Sequence, residues 1–189
     1  MGATEAFGVV TGLACVILTV RQDIWCWPIG IISVIAYIAV FYDARLYSDM
    51  WLQVVYIFMQ VYGWRNWLHG GADSGALPVS RLTPVAVGIW IGVAVVGSYS
   101  LGYAMSHYTN ADLPYVDSTA TAMSLVAQWL MSRKVLESWL IWIGVDVISV
   151  AMYLVKGLYM TTGLYAVFLA LAVSGFISWR NSLLKTGRG

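Results

Sequence analysis

Residues 27–67 read WPIGIISVIAYIAVFYDARLYSDMWLQVVYIFMQVYGWRNW, and residues 148–179 read ISVAMYLVKGLYMTTGLYAVFLALAVSGFISW. Both stretches are apolar and long enough to enter a lipid bilayer, whose hydrocarbon core takes roughly 17–25 residues of helix per crossing. They also resemble one another. Ser33 and Tyr37 pair with Ser149 and Tyr153; after a loop difference of four residues, Leu46-Tyr47 pairs with Leu158-Tyr159, Gly63 with Gly175 and Trp67 with Trp179. Membrane chains built from two related halves commonly hold a substrate where the halves meet and work by moving one against the other.

The same character extends outward through the chain. Apolar residues make up 60% and charged residues 10% of it, where a soluble domain carries about 25% charged residues. Apolar runs recur at 6–20, 25–42, 46–67, 84–106, 118–131, 138–155 and 158–179. The first and fifth are short for a full crossing. Residues 85–97, VAVGIWIGVAVVG, are continuously apolar, whereas a membrane β-strand alternates. The expected fold is therefore all-α: a polytopic membrane protein of seven transmembrane helices. No Lys or Arg precedes the first apolar run, unlike a secretory signal, so that run is expected to be a helix of the mature protein. Cys15 and Cys26 both fall inside apolar runs, which suits small packing residues better than a disulfide.

Charge sets the orientation. Arg21, Arg65, Arg81, Arg133, Lys134, Arg180, Lys185 and Arg188 fall on one side of this topology, and Arg45 and Lys156 on the other. Cytoplasmic loops carry the excess of Lys and Arg, so the N-terminus is expected outside and the C-terminus in the cytoplasm. The repeat is offset by four crossings, which preserves direction and makes the halves parallel copies. The expected organisation is a three-helix bundle at 1–67, a loop and linker helix at 68–111, and a second three-helix bundle with a short cytoplasmic tail at 112–189. The linker span, 84–106, has no charged residue, Gln or Asn and is expected to face lipid.

Polar residues inside membrane spans are costly and face a cavity or a neighbouring helix. Three stripes stand out. Asp49, Gln53, Tyr56 and Gln60 recur at spacings of 4, 3 and 4 in the third span, as do Asp117, Thr121, Ser124 and Gln128 in the fifth. Trp139, Trp142, Asp146, Ser149 and Tyr153 follow a 3, 4, 3, 4 rhythm in the sixth. Such spacings stack side chains on one helical face, which would line a path for a flat, polar organic solute. The competing reading is that hydroxyls and amides join helices to one another. Asp146 stands apart, because an unpaired carboxylate at mid-span is expensive. It is protonated, bonded to a hydroxyl such as Ser149, or turned toward water and ligand. Trp139 fits an interfacial belt as well as a ligand contact, and the deeper Trp142 is the better candidate for stacking on a planar cation. Pro28, Gly30 and Gly144 are candidate hinges, Pro28 also being a good helix start. Glu137 and Arg133 read as a solvated pair four residues apart.

These two long segments together resemble the PnuC family of bacterial vitamin transporters over nearly the whole chain. The resemblance implies a SWEET-like fold of two parallel three-helix bundles plus a linker helix, assembled as a homotrimer in the cytoplasmic (inner) membrane. It implies facilitated diffusion of nicotinamide riboside, with thiamine as the alternative cargo, followed by trapping through phosphorylation by a separate cytoplasmic kinase. The family's WxxW signature with a polar residue further along maps onto Trp139, Trp142 and Asp146, where riboside carriers often have Asn. Gln53, Gln60 and Gln128 would serve ribose hydroxyls, a carboxamide or an aminopyrimidine.

No cofactor, metal or nucleic-acid partner is expected, and no catalytic residue. The chain has no GxxxxGK[ST] loop and so no phosphate cradle for ATP. His69 and His107 fall at opposite sides of the topology, which leaves a membrane enzyme without a catalytic cluster. A retinal-binding receptor would need a lysine in the seventh span, and Lys156 lies in the loop before it.

Overall fold

The computed structural model describes residues 3–43, 45, 47–72, 75–108, 113–185 and 187. Leu46 and Asp112, and the side chain of Asp49, lie outside the described residues. Among the described residues seven helices follow one another: α1 (Ala3–Val20), α2 (Cys26–Asp43), α3 (Tyr47–His69), α4 (Pro84–Tyr108), α5 (Pro114–Ser132), α6 (Ser138–Val155) and α7 (Tyr159–Lys185). Each apolar run in the sequence is one of these helices. Four of them, α2, α4, α6 and α7, are long and apolar enough to cross a membrane on length and composition. The chain is a helical polytopic membrane protein.

The chain divides into two compact units, Met1–Pro78 with Ser132–Lys134, and Val79–Met131 with Val135–Gly189. In the first unit α1 packs on α2 and α2 on α3; in the second α6 packs on α7. The linker helix α4 belongs to the second unit, where Trp90 and Ala94 pack against a cluster of Val126, Leu130 and Val135. A Cβ on the buried Gly102 would fall on the Tyr115 ring, so the absent side chain lets α5 approach α4. Elsewhere α4 is bare, with Val85, Ile89, Val95 and Val96 all exposed. In hydrocarbon that exposure carries no penalty, because lipid tails are as apolar as the side chains.

The repeat holds a constant offset of 112 residues: 26 becomes 138, 43 becomes 155 and 47 becomes 159. The turns agree. Left-handed residues close three of these helices in the same way: Gln22 (φ 60°) after α1, Lys134 (φ 56°) after α5 and Gly157 (φ 71°) after α6. In each, the next N–H donates five residues back, Asp23 to Leu18, Val135 to Leu130 and Leu158 to Tyr153, at 2.9–3.1 Å. This is the pattern that satisfies the last carbonyls of a helix. Arg45 (φ 59°) takes the matching position after α2. The pairing of Ser33 with Ser149 and Tyr37 with Tyr153 across a loop difference is thereby corrected: Ser33 corresponds to Val145 and Tyr37 to Ser149, and the loops match in length. A slip of four residues rotates a helix face by only about 40°, so apolar sequence similarity alone tolerates it.

Each unit is locked by the same three residues. In the first, Trp27 meets Trp67 edge to face, with centroids 5.2 Å apart and planes at 85°, and a Cβ on Gly63 would sit inside the Trp27 ring. In the second, Trp139 meets Trp179 at 5.5 Å and 89°, and a Cβ on Gly175 would lie 2.6 Å from the Trp139 ring. All four indoles are buried. Edge-to-face contact sets the positive ring edge of one indole on the negative face of the other.

Two loop details depart from the sequence reading. Glu137 does not pair with Arg133: the helix breaks at the left-handed Lys134, so residues 133 and 137 share no helical face. Glu137 Oε2 instead accepts the Leu82 N–H at 3.0 Å, and Oε1 accepts Arg81 Nε at 3.3 Å. With a parallel bridge between Ser80 and Val135 and a Leu136 N–H bond to the Ser80 carbonyl at 2.9 Å, this straps the segment before α4 onto the start of α6. Lys134, counted above among the loop cations, is buried within the first unit with its Nζ 4.6 Å from the Trp67 ring centroid. Burial holds its ammonium below the ordinary lysine range, with the neighbouring Cys26 sulfur opposing.

Candidate substrate-binding site

In the second unit the site is built on α6. Its eighteen residues are mostly Ile, Val, Leu and Trp, and the helix ends where Gly157 turns left-handed. Along the expected stripe, Trp139, Asp146 and Ser149 are buried, while Trp142 and Tyr153 are half-buried. Asp146 is only 5% exposed. No hydrogen bond or ion pair to its carboxylate occurs among the described residues, Ser149 included. A buried carboxylate with no partner is the group most in need of one.

The members of the stripe are not equivalent. Trp139 is enclosed by Trp179 and Gly175, and its Nε1 is buried without a partner. That geometry makes it a packing residue of the lock. Trp142, one turn deeper, keeps part of its ring open. Tyr153 meets Tyr165 in a tilted contact at 5.2 Å, and Tyr165 meets Phe168 edge to face at 6.0 Å, which forms an aromatic cluster between α6 and α7. Sequence reading passed over Tyr165. By the 112-residue offset it corresponds to Gln53, and Phe168 corresponds to Tyr56, so the repeat in its true register is the signal that points to it.

On α5, Thr121 and Gln128 are half-buried, and their neighbour Ser118 is buried with its hydroxyl 3.3 Å from Met105 Sδ. Gly144 on α6 faces the Met123 methyl, 2.9 Å from where a Cβ would be. A groove of about 360 Å³ between α4 and α5 is lined by Val95, Tyr99, Tyr115 and Met123 among others and holds no charged group. Its polar groups are the hydroxyls of Ser98, Thr119 and the two tyrosines, with no charge to answer a cation, so α6 is the better candidate.

In the first unit the polar stripe lies on α3. Gln53 and Tyr56 are half-buried and Gln60 is 7% exposed. Gln60 Oε1 occupies the space where a Cβ on Gly30 would be, beside Cys15 Sγ. Cys15 Sγ donates to the Cys26 carbonyl at 3.1 Å, and both cysteines are free thiols. Ser33 ties α2 to α1 by donating to the Gly8 carbonyl at 2.9 Å. Pro28 sits in the first turn of α2, where its missing N–H forfeits no helical bond.

A half-buried indole with an unpaired carboxylate one turn further on can do one thing well. The ring face and, when ionised, the carboxylate both attract a flat cation, and the surrounding apolar side chains strengthen the attraction.

The family model described as nicotinamide mononucleotide transporter matches residues 2–181. The nicotinamide riboside transporter PnuC of Escherichia coli (strain K12) is 27% identical over 208 residues, covering 97% of this chain and 87% of the relative. The riboflavin/roseoflavin transporter RibM of Streptomyces davaonensis is 26% identical over 179 residues, covering 93% and 84%. The crystal structure of the vitamin B3 transporter PnuC matches with a TM-score of 0.77 at 25% identity, covering 96% of this chain and 82% of that one. A helical membrane chain with this likeness along nearly its whole length is a transporter and not an enzyme, and it belongs to the nicotinamide mononucleotide transporter family.

Proposed function

We propose that this chain carries nicotinamide riboside across the bacterial cytoplasmic membrane by facilitated diffusion with alternating access. The observation that carries the reading is Asp146, a buried carboxylate without a partner, one turn beyond the half-open Trp142 ring. Nicotinamide riboside brings a flat pyridinium that answers both groups. Its hydroxyls and carboxamide suit Gln53, Tyr56, Gln60, Thr121 and Gln128, with Ser149 and Tyr153 further along the α6 stripe. Neutral flavin, the cargo named for one relative, offers the carboxylate hydrogen-bond donors and no positive charge.

The remaining expectations complete the proposal. The chain is organised as bundles at 1–67 and 112–189 with a linker at 68–111, forms a homotrimer, and places its N-terminus outside and its C-terminus in the cytoplasm. Gly144 and the start of α2 are the flexible points of alternating access. A separate cytoplasmic kinase traps the vitamin and so maintains the inward gradient that facilitated diffusion needs. Thiamine is the second reading, favoured by the same carboxylate because its thiazolium ring is also a flat cation.

Calorimetric titration of the detergent-solubilised protein with nicotinamide riboside and with thiamine tests this. Binding of the riboside alone supports the proposal. Binding of thiamine alone moves the cargo, and binding of neither refutes both cargo assignments.

A further inference from the structure

We propose that Gly30 is a positioning residue: its missing side chain is the seat that holds the Gln60 carboxamide in place to meet the transported solute. Gly30 is buried on α2, and Gln60 Oε1 fills the volume that a Cβ there would claim. Cys15 Sγ lies 2.9 Å from the same point, so the space is closed on a second side. Gln60 is more than nine-tenths buried as a residue, and no hydrogen bond of its amide occurs among the described residues; the fully buried unpaired side-chain groups are the indole N–H groups of Trp27 and Trp139, so the Gln60 amide keeps a narrow opening to its surroundings. With its oxygen turned onto Gly30, the nitrogen side is left to donate to an acceptor from outside the protein. A carbonyl or hydroxyl oxygen of the solute is the chemistry that fits.

The repeat shows that this pairing is not generic packing. At the positions 112 residues on, Gly30 becomes Trp142 and Gln60 becomes Ala172. The small residue and the large one have changed helices. In the first unit the large, polar group comes from α3 over a bare α2; in the second the large, aromatic group comes from α6 and α7 carries the small one. Each unit thus spends its room at this level on one side chain, an amide in one and an indole in the other. The size at position 30 decides which helix of the first unit presents that group.

The inference rests on the substrate reading above for its ligand, and not for the contact between Gly30 and Gln60. The test starts from a Cys15→Ala/Cys26→Ser background, the residues that the chain itself carries at the equivalent Ala127 and Ser138. This also removes the sulfur that would crowd a new Cβ. Gly30→Ala, Gln60→Ala and the double variant are compared by thermal melting without vitamin and by calorimetric titration with nicotinamide riboside. Gly30→Ala is expected to lower the melting temperature and weaken binding about tenfold, the worth of one lost hydrogen bond. Gln60→Ala should weaken binding as much. In the Gln60→Ala background, adding Gly30→Ala should cost no further affinity and no longer lower the melting temperature.

Equal losses from Gly30→Ala in both backgrounds, by either readout, would overturn the proposal. If Gly30→Ala does not fold, Gly30→Ala/Gln60→Asn decides, because the shorter amide clears the Cβ; failure of that variant to recover folding counts against the seat. If the background protein binds no nicotinamide riboside, the substrate reading falls, and the melting comparison still decides whether Gly30 seats Gln60.

Discussion

Trp139 and Trp179 meet edge to face with their centroids 5.5 Å apart, and Trp27 and Trp67 repeat the meeting in the other unit at 5.2 Å. The glycine beneath each pair, Gly175 or Gly63, is what allows the ring to sit against the backbone of the next helix. Gly63→Ala and Gly175→Ala should each cost about 1–3 kcal/mol through overpacking. Gly163→Ala is the control: it has open space around its Cβ position and should be neutral or mildly stabilising. Thermal melting in detergent reads all three, and equal effects at the three sites would refute the lock.

Asp146→Ala should weaken binding of a cationic vitamin by at least about 30-fold, because removing one partner of a buried charge pair costs about 2–5 kcal/mol. The variant removes a carboxylate that bonds to nothing among the described residues and should fold as the parent does. Affinity is measured by calorimetry and folding by gel filtration. Unchanged affinity in a well-folded variant would mean that the carboxylate does not meet the solute.

Arg45 holds a left-handed conformation (φ 59°) at the position where the other half carries Gly157. The left-handed region costs a residue with a Cβ roughly 1–2 kcal/mol. Arg45→Gly is therefore expected to stabilise the protein by about 1 kcal/mol, and Gly157→Arg to destabilise it by a similar amount. Melting curves of the two variants should shift in opposite directions.

Glu137 anchors the strap that precedes α4 by accepting from the Leu82 N–H and Arg81 Nε. Glu137→Ala removes both bonds and leaves the exposed Arg81 on a loosened segment. Trypsin should then cut after Arg81 several-fold faster, since cleavage follows local opening. An unchanged rate would show that the backbone bonds to Ser80 hold the strap alone.

Lys134 gives a pH signature. Burial lowers its pKa from the ordinary 10.5, so on the approach to that value from below, the folded chain holds fewer protons than the unfolded one. Stability should then rise with pH through this alkaline window, the sign that linkage assigns when the unfolded state binds more protons. Lys134→Met should flatten the rise. A rise that persists in the variant belongs to another group.

Much of the fold was legible in the sequence. The run expected at 138–155 coincides with α6 (Ser138–Val155), and the others agree to within a few residues, apart from longer ends on α5 and α7. The polar stripe on α6 was equally legible, because spacings of three and four name one helical face whatever surrounds it. Burial of Asp146 and Ser149 matches that stripe. The register of the repeat was not legible, and it misplaced the partners of Ser33 and Tyr37. The ranking of Trp142 over Trp139 was legible, but its reason was not: Trp139 is locked beneath Trp179 rather than set in an interfacial belt.

By itself, the sequence determined that this is a helical polytopic membrane protein, because a bilayer demands long unbroken apolar runs and tolerates few charges within them. The tertiary structure decided which small residues are seats and which polar groups lack partners. Gly30, Gly63 and Gly175 are indistinguishable from other glycines until a Gln60 amide or an indole is seen in the space of the missing Cβ. Asp146 is only one polar letter among several until its surroundings are found to hold no group that answers it. Those distinctions depend on what a neighbouring helix brings to within a few ångströms, and a pattern read along a single helix carries no record of its neighbour.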